Sequence, residues 1–324
     1  MRFIICILLQ FSLFAADFDC IFIGTSPFSL LEALYQAQSG KKVLILEENS
    51  LCGGAWQSIN ACGIDHVDLG CHLVGTDTKL KAFFETYIGC KTVSLDDPTR
   101  PFIEGQDKLG WYFSKGCFEL IDQLLKLISQ EDISLYTQCK AENLRFDLNN
   151  QLAIVQTPSE TFSTHQLFVT PMSDIQIGLE TKRVQTKSKF HHLYLLIQDP
   201  TAPQFTYRQG VVKGVSRMMN LTHFLELANT GRQLIVFQTH GEQYLESGQA
   251  FLDELIAQKL VAPTAYILDQ ECHTYETGAF CQNNASLKDS NDLIVVIQTG
   301  QLIQVIKYID KWKKVLAPIE MCQP

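Results

Sequence analysis

Glu47 closes a short apolar run, Val43 to Leu46, and lies 23 residues after Gly24, which closes another run, Cys20 to Ile23. A carboxylate ending one buried strand and a glycine ending its neighbour are the fixed points of a dinucleotide-binding βαβ unit. The glycine turn lets the next helix present its free N–H groups, and the positive end of its dipole, to a pyrophosphate. The carboxylate accepts hydrogen bonds from a ribose. Between the two, Ser29 to Gln38 carries apolar residues at Leu30, Leu31, Leu34, Tyr35 and Ala37, a helical spacing that stops at Ser39-Gly40. The three positions where such turns carry glycine read Gly24, Ser26 and Ser29, with Thr25 beside the first. Serine at the second position puts a side chain where backbone and phosphate approach closely, whereas at the third it is small enough to disturb helix packing less.

Glu47 is followed, after five intervening residues, by Gly53-Gly54-Ala55-Trp56. This E-x5-GG element resembles the second signature of the two-domain flavin oxidoreductases, the group of amine oxidases, phytoene desaturases and UDP-galactopyranose mutases. Asp65-His-Val-Asp68-Leu-Gly70-Cys-His72 resembles the segment that places a histidine beside the flavin in that group. Lys115-Gly116-Cys-Phe118 resembles its glycine-started helix, and Phe168-Val-Thr-Pro171 its strand returning to the dinucleotide sheet. The resemblance covers roughly residues 18 to 175 and continues more loosely to the end. It implies an α/β fold: a Rossmann-like FAD/NAD(P)-binding domain carrying an inserted α+β substrate domain. It also implies FAD as cofactor, with Gly24, Thr25, Ser26 and Ser29 along the pyrophosphate and Glu47 on the adenosine ribose. Gly53, Gly54 and Trp56 would border the isoalloxazine, with His72 near the ring and Gly300 at the N-terminus of the last helix. The sequence departs from the group at Ser26, at Ser29 and at Gln301, where an acid is usual, and in the short span Gly89 to Ser114, where a long helical insertion is usual.

The elements expected to carry these residues are strands at Cys20–Ile23, Val43–Leu46, Ile133–Thr137, Ala141–Phe146, Gln151–Gln156 and Thr161–Thr170. A second group follows at Phe190–Ile197 and Gln233–Gln238, with a helix at Ala250–Lys259, a strand-like run from Asp292 and a closing helix at Ile303–Leu316. The corresponding organisation is a leader at 1–16, dinucleotide-binding segments at 17–88, 115–175 and 286–324, a shortened insertion at 89–114, and a substrate or interaction domain at 176–285.

With 46% hydrophobic and 19% charged residues among 324, the chain can bury large cores and is not a disordered protein. Its net charge of -9, and the lack of any Lys/Arg run longer than two residues, exclude nucleic acid as the main partner. Met1 to Ala16 has one Arg, an apolar run and a small-residue end, the pattern of a secretory signal, so export is expected. A first strand or an uncleaved N-terminus, and with it a cytoplasmic chain, is the alternative. No stretch reaches the length of a membrane span. The cysteines have neither CxxC nor zinc spacing, so no metal is expected, and those in apolar runs, such as Cys20 and Cys139, read as buried thiols. Asn220-Leu-Thr222 and Asn284-Ala-Ser286 are glycosylation sequons.

The function implied is an FAD-dependent oxidoreductase of the amine oxidase type, or a mutase-like flavoprotein, acting on a small molecule that the residues do not identify. The catalytic residues are likewise unidentified, because His191, His192, His223 and His240 match no pattern. Gly24-Thr25 and Lys41-Lys42-Val43-Leu44 also resemble the GDP-dissociation inhibitors and escort proteins, which implies a non-catalytic binding module with a protein or membrane-surface partner. An NAD(P)-binding protein is a third reading, from the βαβ unit alone. Arg217 sits at a strand end before Asn220-Leu221 and reads as a surface or salt-bridged residue rather than a substrate ligand.

Overall fold

Strand β1 (Phe18–Ile23) is buried from Cys20 onward on both faces, as a central strand between two layers must be. Helix α1 (Pro27–Gln38) leads to β2 (Val43–Leu46), which lies parallel to β1 with Cys20 opposite Val43 and Ile23 opposite Leu46. This computed structural model describes residues 16–72, 74, 77–94, 110–147, 149–170, 176–177, 187–210, 212–225, 227, 229–240, 247–278, 294–296 and 306–319. The leader apart from Ala16, Asn284, Gly300 and Gln301 lie outside the described residues, as do 95–109 of the shortened insertion.

Beyond β2 come the hairpin β3 (Ser58–Ala61) and β4 (Ile64–Asp68), helix α2 (Thr78–Phe83) with a π turn at Phe84–Ile88, and the pair β5 (Thr92–Ser94) and β6 (Trp111–Phe113). Helix α3 (Gly116–Ile128) then feeds β7 (Ile133–Tyr136), parallel to β2. Three antiparallel strands follow: β8 (Asn143–Asp147), β9 (Leu152–Gln156) and β10 (Thr161–Val169). The upper part of β10 returns parallel to β1, with Phe22 opposite Phe168 and their rings stacked at 4.3 Å. The expected strands are thus present within a residue or two, and the chain comes back to the dinucleotide sheet where the Phe168-Val-Thr segment indicates.

A short β11 (Gln176–Ile177) edges the first sheet, and a five-stranded antiparallel sheet begins with β12 (Lys187–Gln198). Its other members are β13 (Tyr207–Gln209), β14 (Arg217–Asn220), β15 (Arg232–His240) and β16 (Tyr266–Gly278), in the order β13-β14-β15-β12-β16. Leu193, Leu195 and Ile197 of β12 pack with Phe251, Leu252 and Leu255 of helix α4 (Gly248–Ala257). Tyr194 and Leu196 pack the opposite way with Ala61, Val67 and Tyr112 of the first part of the chain. Both faces are covered, which is why the run alternates poorly between apolar and polar residues.

The fold closes with β17 (Ile294–Val296), parallel to β10, and helix α5 (Ile306–Trp312). Helix α5 ends four residues short of the expected Leu316, because Lys313 to Leu316 turn back on themselves. Trp312 is fully buried, and its Nε1 donates to Glu32 Oε2 at 2.9 Å while Lys311 Nζ donates to Glu32 Oε1 at 2.7 Å. The carboxylate on the buried side of α1 therefore has its charge matched by the last helix. The sequon asparagine Asn220 is also committed to the core: it is fully buried, donates to Gln233 Oε1 and accepts from the Thr222 hydroxyl and amide, so no glycan can be attached there without unfolding β14. No helix among the described residues is long and apolar enough to cross a membrane.

Trp312→Phe keeps an aromatic ring but removes a donor from a buried carboxylate. It should lower stability by about 1–3 kcal/mol, read as a shift of the urea midpoint with the slope of unfolding unchanged.

Candidate functional site

Gly24 stands at the C-terminal end of β1 with φ +92°, and a Cβ there would come within 2.3 Å of Thr170 Oγ1. Thr170 in turn donates its amide to the Ile23 carbonyl at 3.0 Å. The glycine is thus required by the returning strand as well as by the turn. Ser26 is the N-cap of α1, with φ −57° and ψ 155°, and its Oγ accepts from the Ser29 amide at 3.2 Å. Serine is an unstrained cap here, and its hydroxyl takes one of the donors that a phosphate would otherwise use. Pro27 has no N–H, Gly24 N donates to Leu46 O and Thr25 N to Glu47. The amides of Ser26 and Phe28 are left with no partner among the described residues. Ser29 lies fully buried with its Oγ unpartnered.

Glu47 is buried at the end of β2. Its Oε2 accepts from the Thr25 amide at 3.2 Å and the Thr25 hydroxyl at 2.5 Å, and its Oε1 from Asn49 N at 2.9 Å and Asn49 Nδ2 at 3.0 Å. The same Thr25 hydroxyl accepts from Gly53 N at 2.9 Å. One carboxylate therefore ties the glycine turn to the diglycine loop. A carboxylate has about four acceptor positions, and here all four are taken, so a ribose would have to exchange with the Thr25 and Asn49 side chains. Sequence reasoning gave Glu47 and Thr25 but missed Asn49, for which spacing carries no signal. Burial pushes the Tyr275 hydroxyl of β16 upward, and the charges of Glu47 and Glu48 push it further.

Gly53 and Gly54 lead into a single 3-10 turn, Gly54–Trp56, and a Cβ on Gly54 would meet nothing within 4 Å. Trp56 leans on His72, with ring centroids 4.7 Å apart. Gly24, Thr25, Ser26, Ser29, Glu47 and Gly53 are thus assembled at the ends of β1 and β2, whereas Trp56 and His72 form a second group joined to them by the diglycine loop. The last expected ligand, Gly300, lies outside the described residues.

The second group is more polar than its sequence suggests. Asp68 ends β4 buried, and its Oδ1 accepts from Cys117 N at 2.7 Å at the start of α3. Gly116, with φ +64°, makes room for this carboxylate, since a Cβ would fall 2.4 Å from Asp68 Oδ1. A carboxylate at a helix N-terminus is favoured, but burial outweighs the Cys117 N–H and S–H donors and pushes Asp68 up to about 7. The Tyr194 hydroxyl, from β12, donates to the Asp68 carbonyl at 2.8 Å and accepts from Gly70 N at 3.0 Å, joining the two sheets at this loop. His72 Nδ1 and His192 Nδ1 are both shut off from solvent without a partner. Burial, then the charges of His192 and Arg217, pull His72 down to about 3. Burial pulls His192 to about 4 against a hydrogen bond with Gln238, helped by the charge of Arg217. Arg217 is half-buried on β14 and forms no ion pair among the described residues. Neutral imidazoles and a carboxyl raised toward neutrality therefore lie along the seam, within the field of the Arg217 charge.

The backbone of the first group fits a flavin dinucleotide. It offers the Ser26 and Phe28 amides at a helix N-terminus, a buried Ser29 hydroxyl with no partner among the described residues, a buried carboxylate at the end of β2 and open space beside Gly54, whereas Gly53 packs against Ile121 and Gln57.

No family model and no curated protein matches the chain. Among solved structures it is similar to reduced UDP-galactopyranose mutase, at 11% identity and a TM-score of 0.59, over 81% of this chain and 84% of that one. It is similar to a variant of halogenase PltM in complex with FAD, at 11% identity and 0.53, over 93% and 69%. It is also similar to Rab GDI from Plasmodium falciparum, at 10% and 0.56, over 95% and 100%. The fold is that of the FAD/NAD(P)-binding Rossmann-like proteins. FAD-binding oxidoreductase-type proteins share it broadly, and at these identities it is the fold alone that is common.

Because the folded chain keeps His192 neutral while an unfolded one protonates it below about 6.5, the unfolded state binds the extra proton between pH 6.5 and 4. The stability it helps provide is complete above 6.5 and is lost as pH falls toward 4. His192→Gln should flatten that acid limb by up to about 1.4 kcal/mol per pH unit, measured by denaturant titrations at a series of pH values.

Proposed function

We propose that this chain is a flavoprotein of the oxidoreductase type that holds FAD across the C-terminal ends of β1 and β2. The observation that carries the reading is the junction of Glu47, Thr25 and Gly53, where one buried carboxylate sets the glycine turn against the diglycine loop. In this reading the Ser26 and Phe28 amides and the Ser29 hydroxyl face the pyrophosphate, and Thr25 and Asn49 release Glu47 to the ribose. Gly53 and Gly54 let the loop run alongside the cofactor, and Trp56 and His72 wall the ring. Bound flavin would supply hydride and electron transfer. The chain's own residues would supply a dry, neutral flank in which His72 and His192 stay unprotonated at pH 7. The resemblance of the E-x5-GG element favours oxidation of the amine oxidase type on a small molecule. Export by the Met1–Ala16 leader belongs to the same proposal.

A second reading, in which the scaffold binds a protein or membrane surface without flavin, is favoured by one specific observation. Glu47 already has every acceptor position filled by its own chain.

The two readings part on a spectral titration of the purified chain with FAD. Retained visible absorption and quenched flavin fluorescence are expected, and Glu47→Ala should weaken binding by roughly 1–3 kcal/mol. A folded, colourless protein that leaves FAD free would overturn the flavoprotein and leave the binding module. Binding unchanged in Glu47→Ala would remove the ribose assignment.

A further inference from the structure

Asp68, His72 and Cys117 each bring one donor atom into a cluster whose members all lie within 4.8 Å of one another. They come from the end of β4, the loop after it and the first turn of α3, and none lies within ligand spacing of Cys117 in sequence. We propose that this cluster is a three-ligand site for a thiophilic divalent cation of the zinc type, with a fourth position left for water or another small ligand.

Three observations support it. The donor set of carboxylate oxygen, imidazole nitrogen and thiolate sulfur suits zinc, whose bonds of ~2.0–2.3 Å set ligand atoms about 3.3–3.8 Å apart. Side-chain adjustment of about an ångström therefore closes the present spacing. Second, the carboxylate is pre-aligned: Cys117 N holds Asp68 Oδ1 at 2.7 Å, Gly116 leaves room for it, and Tyr194 fixes the backbone carbonyl of the same residue. Support of this kind around a ligand orients it and adds to affinity. Third, His72 Nδ1 is shut off from solvent with no hydrogen-bond partner among the described residues, so its lone pair or proton goes unused there. Binding forms a metal–sulfur bond and releases the thiol proton to solvent. Thiolate and carboxylate together cancel the charge of the ion. They must also outweigh Arg217, whose positive charge reaches His72.

His72 belongs both to this site and to the flavin reading, so the test uses the metal alone and tells failure of one from failure of the other. Cobalt(II) added to the full, flavin-free chain should bind at one ion per chain, with the intense visible d–d bands of tetrahedral coordination and a near-ultraviolet thiolate charge-transfer band. Zinc should bleach both. Cys117→Ser should abolish the charge-transfer band, while Cys71→Ser, in the same loop but outside the cluster, should keep it. His72→Gln should weaken cobalt binding by at least about tenfold. Far-ultraviolet circular dichroism checks that each variant is folded. No tetrahedral cobalt spectrum in the unaltered chain would overturn the site whatever the variants do. A charge-transfer band that survives in folded Cys117→Ser, or unchanged affinity in His72→Gln, would overturn it equally.

Discussion

A carboxylate taken out of water has to be given donors, and the fold is arranged around satisfying a few of them. Glu47 is the clearest case. Its four hydrogen bonds come from Thr25 and Asn49, and Thr25 passes the connection on to Gly53. The end of β1, the end of β2 and the diglycine loop are thereby held as one unit. Such a unit is suited to a dinucleotide by its backbone, yet each donor on Glu47 must be exchanged rather than added. The free energy of binding a ribose there is a difference between two sets of hydrogen bonds of similar strength.

The seam between the two sheets follows the opposite logic. Asp68 has a helix N-terminus and the Cys117 donors, but burial still wins and drives it toward neutrality. His72 and His192 are held neutral and each keeps an unused nitrogen. Arg217 brings the positive charge that these groups feel. Tyr194 ties this region together across the sheets, through one hydroxyl that donates to the Asp68 carbonyl and accepts from Gly70. Unmet polar groups in a buried seam cost stability. Here they converge on one loop, Asp68 to His72, which the sheets approach from both sides.

The first half of this architecture could be read from the residues because its determinants are local. Gly24, the apolar stripe of α1, Val43 to Leu46 and Glu47 follow one another within one βαβ unit, and the diglycine comes at fixed spacing after the acid. The return of β10 was also legible, because Phe168-Val-Thr is an apolar run ending at a turn. The seam was not legible. Cys117 meets Asp68 across 49 residues and Tyr194 meets it across 126, and neither distance leaves a periodicity. In β12 burial on both faces erases the alternation that normally marks a strand. At Asn220 a surface-type motif lies inside the core, because its side chain serves Gln233 and Thr222 instead of a sugar. Ser26 is a further case: residue type marks it as a departure from a glycine, while its backbone angles make it an ordinary helix cap.

The clamp between α1 and α5 has a bearing on how the chain is made. Glu32 belongs to the first helix, but its Lys311 and Trp312 donors arrive 279 and 280 residues later. Until those residues leave the ribosome, a nascent α1 can form its turns but has no way to bury its charged face, so the first βαβ unit stays open to water on that side. Synthesis at about 5–20 residues per second makes this interval tens of seconds long. A chain in that interval is exposed to chaperones and to aggregation, and the core it makes early is locked by a helix made some 280 residues later.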